Sequence, residues 1–386
     1  MASLKQFFGV IRLSARSFPA RFRSSLVIVI SLAFVTTIPL ALVTLGDSLK
    51  NSYLRAGSPD RAIVLWQGAR HQSASHISPF WMDAILHAPA IRTWQGQVLA
   101  DPEISAFFHP LKTAKSEKGD AVMRGIGPLG FVLRPELKLL SGRLPRSGTR
   151  EVIVGLQAQR KFAGFDVGRQ IDVRGYSWPV VGVFETGHTL DGDVVADAGT
   201  LKAAMQRESY DAVLLALKSP DALNRVQKAL RSLPVTVVRE TDYYAQLWSQ
   251  VPNTAYYMAF ALLLITGMGA LSGTVHTVYA ATSARANEIV ILRAIGFNGA
   301  LVAASVVTEA VLLACLGALI GAGIDWLWLA GYPYNGGMEA GVFLIRMTPH
   351  IVAAALIWAI VIGVWGAVMP SIKVARGTVV QAMRDL

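Results

Sequence analysis

Apolar positions follow two different patterns along the chain. Four stretches, Ser24 to Leu45, Val251 to Ala284, Ala294 to Ile324 and Met347 to Ile372, are almost continuously apolar. Each is long enough to cross a bilayer, which takes about 20 helical residues. Between the first and second stretches the apolar runs shorten and alternate with polar residues, the pattern of a folded domain in water. The sequence therefore predicts a membrane protein with four transmembrane α-helices, one plus three, and a large extracytoplasmic α+β domain between spans 1 and 2. The first span runs on as a helix through Tyr53 and stops at "RAGSPD". It is too long and too helical beyond the membrane for a cleaved signal peptide.

Within the large segment, "RAIVLW" (61 to 66) reads as a strand. "SPFWMDAILHAP" (78 to 89) reads as a helix capped by Ser78, with Pro79 in its first turn. "DAVLLAL" (211 to 217), a helix over 219 to 233 capped by Ser219 with Pro220 first, and "PVTVVR" (234 to 239) make a crossover unit. Residues 61 to 89 and 211 to 239 are expected to pair into one α/β domain, with 91 to 200 inserted or wrapped around it. Segment 142 to 185 reads as β-α-β-β. Segment 91 to 126 reads as short strands around a surface loop in a small inserted subdomain, its fold not legible.

Composition agrees with the membrane reading: 53% of the 386 residues are hydrophobic and 16% charged. The net charge of +11 has a definite distribution. Lys5, Arg12, Arg16, Arg21 and Arg23 precede the first span with no acid among them. Arg285 and Arg293 separate spans two and three, and Lys373, Arg376 and Arg384 follow span four. The positive-inside bias then places both termini in the cytoplasm. Basic residues beside a membrane meet anionic lipid, so membrane lipid, and no nucleic acid, is the expected partner of this charge.

The usual chemistry is missing. No phosphate-binding G-x-x-x-x-G-K-[ST] loop occurs, so ATP hydrolysis is not expected on this chain, and neither is a bound cofactor. Seven scattered histidines and the single Cys315 give no metal-ligand spacing. Asp191, Asp193 and Asp197 lack the pattern of a calcium loop and read as a solvated turn. No catalytic, cofactor-binding or metal-binding residues are assigned. Glu309 stands alone inside span three, where an ionisable group is costly and should face the bundle interior or a partner rather than lipid. Gly317, Gly321 and Gly323 in span three, and Gly269 with Gly273 in span two, make small-residue faces for close helix packing.

Between spans two and three lies "SARANEIVILRAIGF", Ser283 to Phe297. Ser283 can cap a short helix and Gly296 can end it. Ile289, Val290, Leu292 and Ile295 supply apolar contacts, and Arg285, Glu288 and Arg293 a polar edge. This stretch, then Glu309, Gly317 and Gly321, then "PSIKVARGTVVQAMR" (370 to 384), resembles the FtsX-like permease domain of MacB-type ABC transporters. The segment "SGRLPRSGTREVIVGLQAQRKF" through "WPVVGVFE" is similar to that family's periplasmic core domain.

The resemblance implies an inner-membrane permease subunit of the type VII, mechanotransmission class, acting in efflux or extraction. It implies a separate cytoplasmic ABC ATPase that binds ATP and Mg, and a second permease copy in a homo- or heterodimer. A periplasmic membrane-fusion adaptor and an outer-membrane channel complete the implied assembly. Arg285, Glu288, Ile289, Leu292, Arg293 and Gly296 would form the ATPase-coupling helix, and Glu309, Gly317 and Gly321 the packing face of span three. The implied division is a basic segment 1–23, span one with its stalk 24–54, a periplasmic α+β domain of two subdomains over 55–245, and a stalk with span two over 246–282. The coupling helix 283–297, span three 299–325, an outer loop 326–348, span four 349–370 and a cytoplasmic tail 371–386 follow. Two rival roles stand beside it: a membrane-anchored regulator of a periplasmic cell-wall enzyme, as in cell-division relatives, and an intramembrane enzyme using Glu309 and His276.

Overall fold

The computed structural model describes residues 22–112, 118–219, 221–250, 254–283, 299–336 and 341–376. In chain order the elements are α1 (Phe22–Leu54), β1 (Arg61–Trp66), α2 (Pro79–Leu86), β2 (Ala100–Phe108), β3 (Ala121–Ile126), α3 (Pro128–Leu133) and β4 (Lys138–Gly142). There follow β5 (Val152–Gly155), α4 (Leu156–Lys161), β6 (Gln170–Val173), β7 (Tyr176–Glu185), β8 (Asp193–Asp197), α5 (Ala198–Ala204), β9 (Ala212–Ala216), α6 (Ala222–Ala229), β10 (Val235–Arg239) and α7 (Glu240–Gln250). The chain ends with α8 (Thr254–Ser283), α9 (Gly299–Leu329), the strands β11 (Pro333–Asn335) and β12 (Val342–Leu344), and α10 (Pro349–Arg376). Two units result: a helical unit of Met1–Gly46, Asn253–Ala330 and Arg346–Leu386, and a mixed unit of Asp47–Pro252 and Gly331–Ile345.

Among the described residues four helices are long and apolar enough to cross a membrane, in Val29–Leu54, Phe260–Ala280, Gly299–Leu329 and Pro349–Ile372. They meet where glycines let backbones approach. A Cβ on Gly363 of α10 would lie 2.9 Å from Val311 Cα on α9, and one on Gly366 2.7 Å from Thr274 Cγ2 on α8. Val29 and Leu32 of α1, Leu313, Ala314 and Ala318 of α9, and Ala359 and Ile362 of α10 form the shared core. Large apolar side chains such as Phe34, Leu327, Trp365 and Met369 point outward instead. That inversion suits lipid as the surrounding solvent.

The mixed unit is built on a ten-stranded sheet in the order β10-β1-β9-β2-β3-β8-β5-β7-β4, with β6 hydrogen-bonded to β7. Its first half has a split β-α-β arrangement. Strands β9 and β10 each run antiparallel to β1, so they are parallel to each other with β1 between them, and α6 crosses over. Residues alternate between faces along a strand. Ala62, Val64, Val213 and Leu215 therefore pack under α2 and α6, while Ile63, Leu65, Ala212 and Leu214 pack on the other face with Leu133 and Tyr243. Both faces are covered, which explains why β1 and β9 read as nearly unbroken apolar runs.

Two local expectations need correction, and a third holds. Segment 91–126 is no inserted subdomain: β2 pairs with β9 through residues 100–103 and with β3 through residues 104–108, so it joins the two halves of the sheet. The helix expected over 219–233 begins at Ala222 with Asp221 at its cap position, not Ser219, and Pro220 lies outside the described residues. Ser78 does cap α2, its side chain accepting from Phe80 N.

Candidate functional site

The chain enters the mixed unit through α1 and β1 and leaves it through β10 and α7. Ala62 is paired with Arg239 across β1 and β10, so the next residues outward, Arg61 and Glu240, are neighbours by register. Arg61 Nε lies 2.5 Å from Glu240 Oε2, and both side chains are buried. Arg61 Nη1 also reaches Glu136 Oε1 at 2.7 Å and donates to the Leu133 carbonyl at 2.7 Å. Ser58 N donates to Glu240 Oε2 at 2.8 Å. A Cβ on Gly57 would lie 2.7 Å from Thr241 Cα, so entry and exit segments touch through their backbones. Ion pair, backbone bond and glycine contact together form a clamp between the two ends of the unit.

From the clamp a chain of buried charges runs across the sheet. Arg134 pairs with Glu103, whose other oxygen is 3.7 Å from Arg124. Arg124 Nε reaches Asp193 Oδ2 at 3.0 Å, and its Nη1 donates to Gln72 Oε1 at 2.6 Å. Such pairs hold charge in a low dielectric only because each partner is present. Burial pushes the Glu136 carboxyl up, but the His188 imidazole and the Arg61 charge outweigh it and hold the group at about 2, against the usual 4.5. A depressed carboxylate stabilises the fold fully above pH 4.5 and loses that contribution as the pH falls toward 2. Glu136 is thus charged throughout the ordinary pH range.

Asp101 behaves in the opposite way. Burial, reinforced by the nearby negative charge of Glu103, raises its carboxyl from 3.8 to about 7, against the opposing Gly127 N–H bond at 2.9 Å. An acid raised in the folded state costs stability progressively as the pH climbs from 3.8 through about 7. Asp101→Asn keeps an oxygen for Gly127 and removes the charge. The variant is expected to melt above the wild type at pH 8 and to lose that advantage at pH 4, measured by thermal unfolding of the full chain in detergent.

Beside this network lies a cleft of about 380 Å³, wholly within the mixed unit. Leu49 and Tyr53 of α1 and Tyr243, Tyr244 and Leu247 of α7 form its walls, while Ser105, Phe107, Val122, Arg124 and Asp193 come from β2, β3 and β8. Burial, and the negative charge of Glu240, hold the Tyr244 hydroxyl well above the usual phenol range, so it stays protonated.

Asp191, Asp193 and Asp197 do not form a solvated turn; all three are buried. Asp191 accepts from Gly187 N at 2.9 Å, Asp193 pairs with Arg124, and Asp197 caps α5 by accepting from Thr200 N at 2.9 Å. The described residues contain no group of acids, histidines and cysteines able to hold a metal ion. Arg285, Glu288, Ile289, Leu292, Arg293 and Gly296 lie outside the described residues. Gly317 and Gly321 lie against α1: a Cβ on the first would be 2.8 Å from Val29 O, and one on the second 2.8 Å from Ala33 O. Glu309 sits half-buried on α9, one residue before the buried Ala310. A Cβ added at Gly269, Gly273 or Gly323 would meet nothing within 4 Å among the described residues.

The charged network itself was not read from the sequence, since its partners lie far apart in the chain. A signal was present at two positions: Arg124 interrupts the otherwise apolar strand AVMRGI, and Arg61 opens the apolar strand RAIVLW.

A family model described as the MacB-like periplasmic core domain matches residues 24–233. Among solved structures, the periplasmic region of MacB from Actinobacillus actinomycetemcomitans is 16% identical, with 52% of this chain and 97% of that chain covered and a TM-score of 0.39. The extracellular domain of the noncanonic ABC-type transporter YknZ from Gram-positive bacteria is 14% identical, covering 46% of this chain and 99% of that one, with a TM-score of 0.35. No curated protein matches.

Proposed function

As this chain belongs to the MacB/FtsX-like family of ABC transporter permeases, we propose that it is the permease subunit of a mechanotransmission complex driven by a separate cytoplasmic ATPase. The mixed unit is then the periplasmic domain, both termini are cytoplasmic, and the 283–297 segment is the surface on which the ATPase acts. Two permease copies work together, with ATP and Mg held by the partner ATPase. The glycines of α8 whose Cβ positions meet no described residue within 4 Å, Gly269 and Gly273, suit the contact between copies. An adaptor and an outer-membrane channel extend the pathway to efflux or extraction.

The observation that carries this reading is the clamp. A device that turns nucleotide-driven helix movement into movement of an outer domain needs its incoming and outgoing segments to move together. The buried Arg61–Glu240 pair and the Gly57–Thr241 contact bind those two segments to each other and to the edge of the sheet.

The test is charge reversal in the coupling segment. Glu288→Arg with Arg293→Glu is expected to abolish copurification of the ATPase, or to reduce nucleotide turnover of the complex at least tenfold. Unchanged association together with unchanged turnover would refute the coupling role.

A further inference from the structure

The cleft beside the charged network is lined by apolar and polar groups side by side. Leu49, Tyr53, Phe107, Val122 and Leu247 supply the apolar and aromatic lining. Arg124, Asp193, Gln72 and Ser105 supply polar lining, with Asp193 next to Val122 and Ser105 next to Arg124 by register. Its volume of about 380 Å³ falls in the 300–1,000 Å³ range of small-molecule sites.

The polar lining decides what the cleft can hold. Arg124 and Asp193 are already paired at 3.0 Å, so neither offers an uncompensated charge. An anionic head would meet the Asp193 carboxylate, and a cationic head would meet the Arg124 guanidinium. Desolvating either without a partner is costly. Hydrogen-bond donors and acceptors remain, which suits a head that is polar and uncharged.

The walls point to where such a molecule would sit. Leu49 lies three residues beyond Gly46, and Gln250 three residues before Asn253, the points at which the chain passes between its two units. We propose that the cleft binds an uncharged single-chain amphiphile, its apolar chain against Leu49, Tyr53 and Leu247 and its hydroxyl or ester head against Arg124, Gln72 and Ser105. Bound there, it touches both helices that the clamp joins. Binding itself requires neither ATP nor a partner, so its failure would leave the permease reading standing.

Photolabelling of the full chain in nanodiscs with a diazirine-tagged 1-decanoylglycerol tests this, with labelled peptides located by mass spectrometry. Label is expected on the peptides carrying Val122–Arg124 and Tyr243–Gln250, falling at least fivefold in Leu247→Trp and in Leu49→Trp and unchanged in Phe80→Ala, whose side chain is fully outside the cleft. If a tryptophan variant fails to fold, competition by untagged 1-decanoylglycerol on the wild type takes its place. The ester is supplied either within the nanodisc lipid or from solution, which separates a leaflet source from a dissolved one. Cleft labelling in either arm supports the proposal, and in neither overturns it. Equal labelling in folded tryptophan variants, absence of competition, or equally strong cleft labelling by diazirine-tagged decanoate or decyltrimethylammonium also overturns it.

Discussion

Glu240→Ala is expected to destabilise the outer domain by about 3 to 5 kcal/mol, the usual cost of removing one partner from a buried ion pair. For a domain of this size that corresponds to a fall in melting temperature on the order of 10 °C. The loss has two sources. Arg61 keeps Glu136 and the Leu133 carbonyl but loses its fully buried partner, and the Ser58 N–H loses its acceptor. Replacing both charges, Arg61→Met with Glu240→Leu, should recover much of the stability, because it removes the unpaired charge along with the pair. Thermal unfolding of the three variants in detergent closes the cycle. The double variant carries a second consequence: stability returns while the electrostatic tie between entry and exit segments does not. In the assembled complex it should hydrolyse ATP and fail to drive the outer domain.

Gly321→Val is expected to have the next largest effect. The methyl groups would enter space already held by the Ala33 carbonyl, 2.8 Å from the ideal Cβ position, and by the Thr36 and Thr37 hydroxyls. Backbone cannot yield as a flexible side chain can, so α9 must move off α1. Overpacking of this kind costs about 1 to 3 kcal/mol where the neighbours can relax, and more where they are backbone. The variant should elute as a broad or aggregated species on size exclusion, with a melting temperature well below that of the wild type. Gly323→Ala, two residues along the same helix, should behave as wild type, since nothing lies within 4 Å of its Cβ position. A merely general sensitivity of the helix to lost glycine would affect both alike.

The contrast between these two glycines marks what a sequence conveys. Spacing shows that Gly317, Gly321 and Gly323 are small; only the positions of neighbouring helices decide which of them are packed. The spans were legible because apolar composition over 20 or more residues has few other readings. Pairing of 61–66 with 211–217 and 234–239 was legible because both ends of the domain must return to the membrane. The central strand Ala100–Phe108 was not, because "ADPEISAFF" carries a proline and two buried acids that imitate a loop. Glu103 is tolerated there only because Arg134 and Arg124 lie close by, 31 and 21 positions further along the chain. The same reasoning explains the aspartates of "DGDVVAD". Acids close in sequence look solvated, yet here each meets its own partner: a loop amide, an arginine and a helix start.

The central claim is that nucleotide events in the cytoplasm move the outer domain through segments clamped at Arg61 and Glu240. Its most direct test is the distance between spin labels placed at Phe80→Cys, an exposed position far from the clamp residues in sequence, on the two permease copies of the reconstituted complex, with Cys315 replaced. Trapping the ATPase with ATP and vanadate is expected to shift the distance distribution in the wild type and to leave it unshifted in the Arg61→Met, Glu240→Leu variant. A wild-type distribution that stays the same while the complex hydrolyses ATP would contradict it.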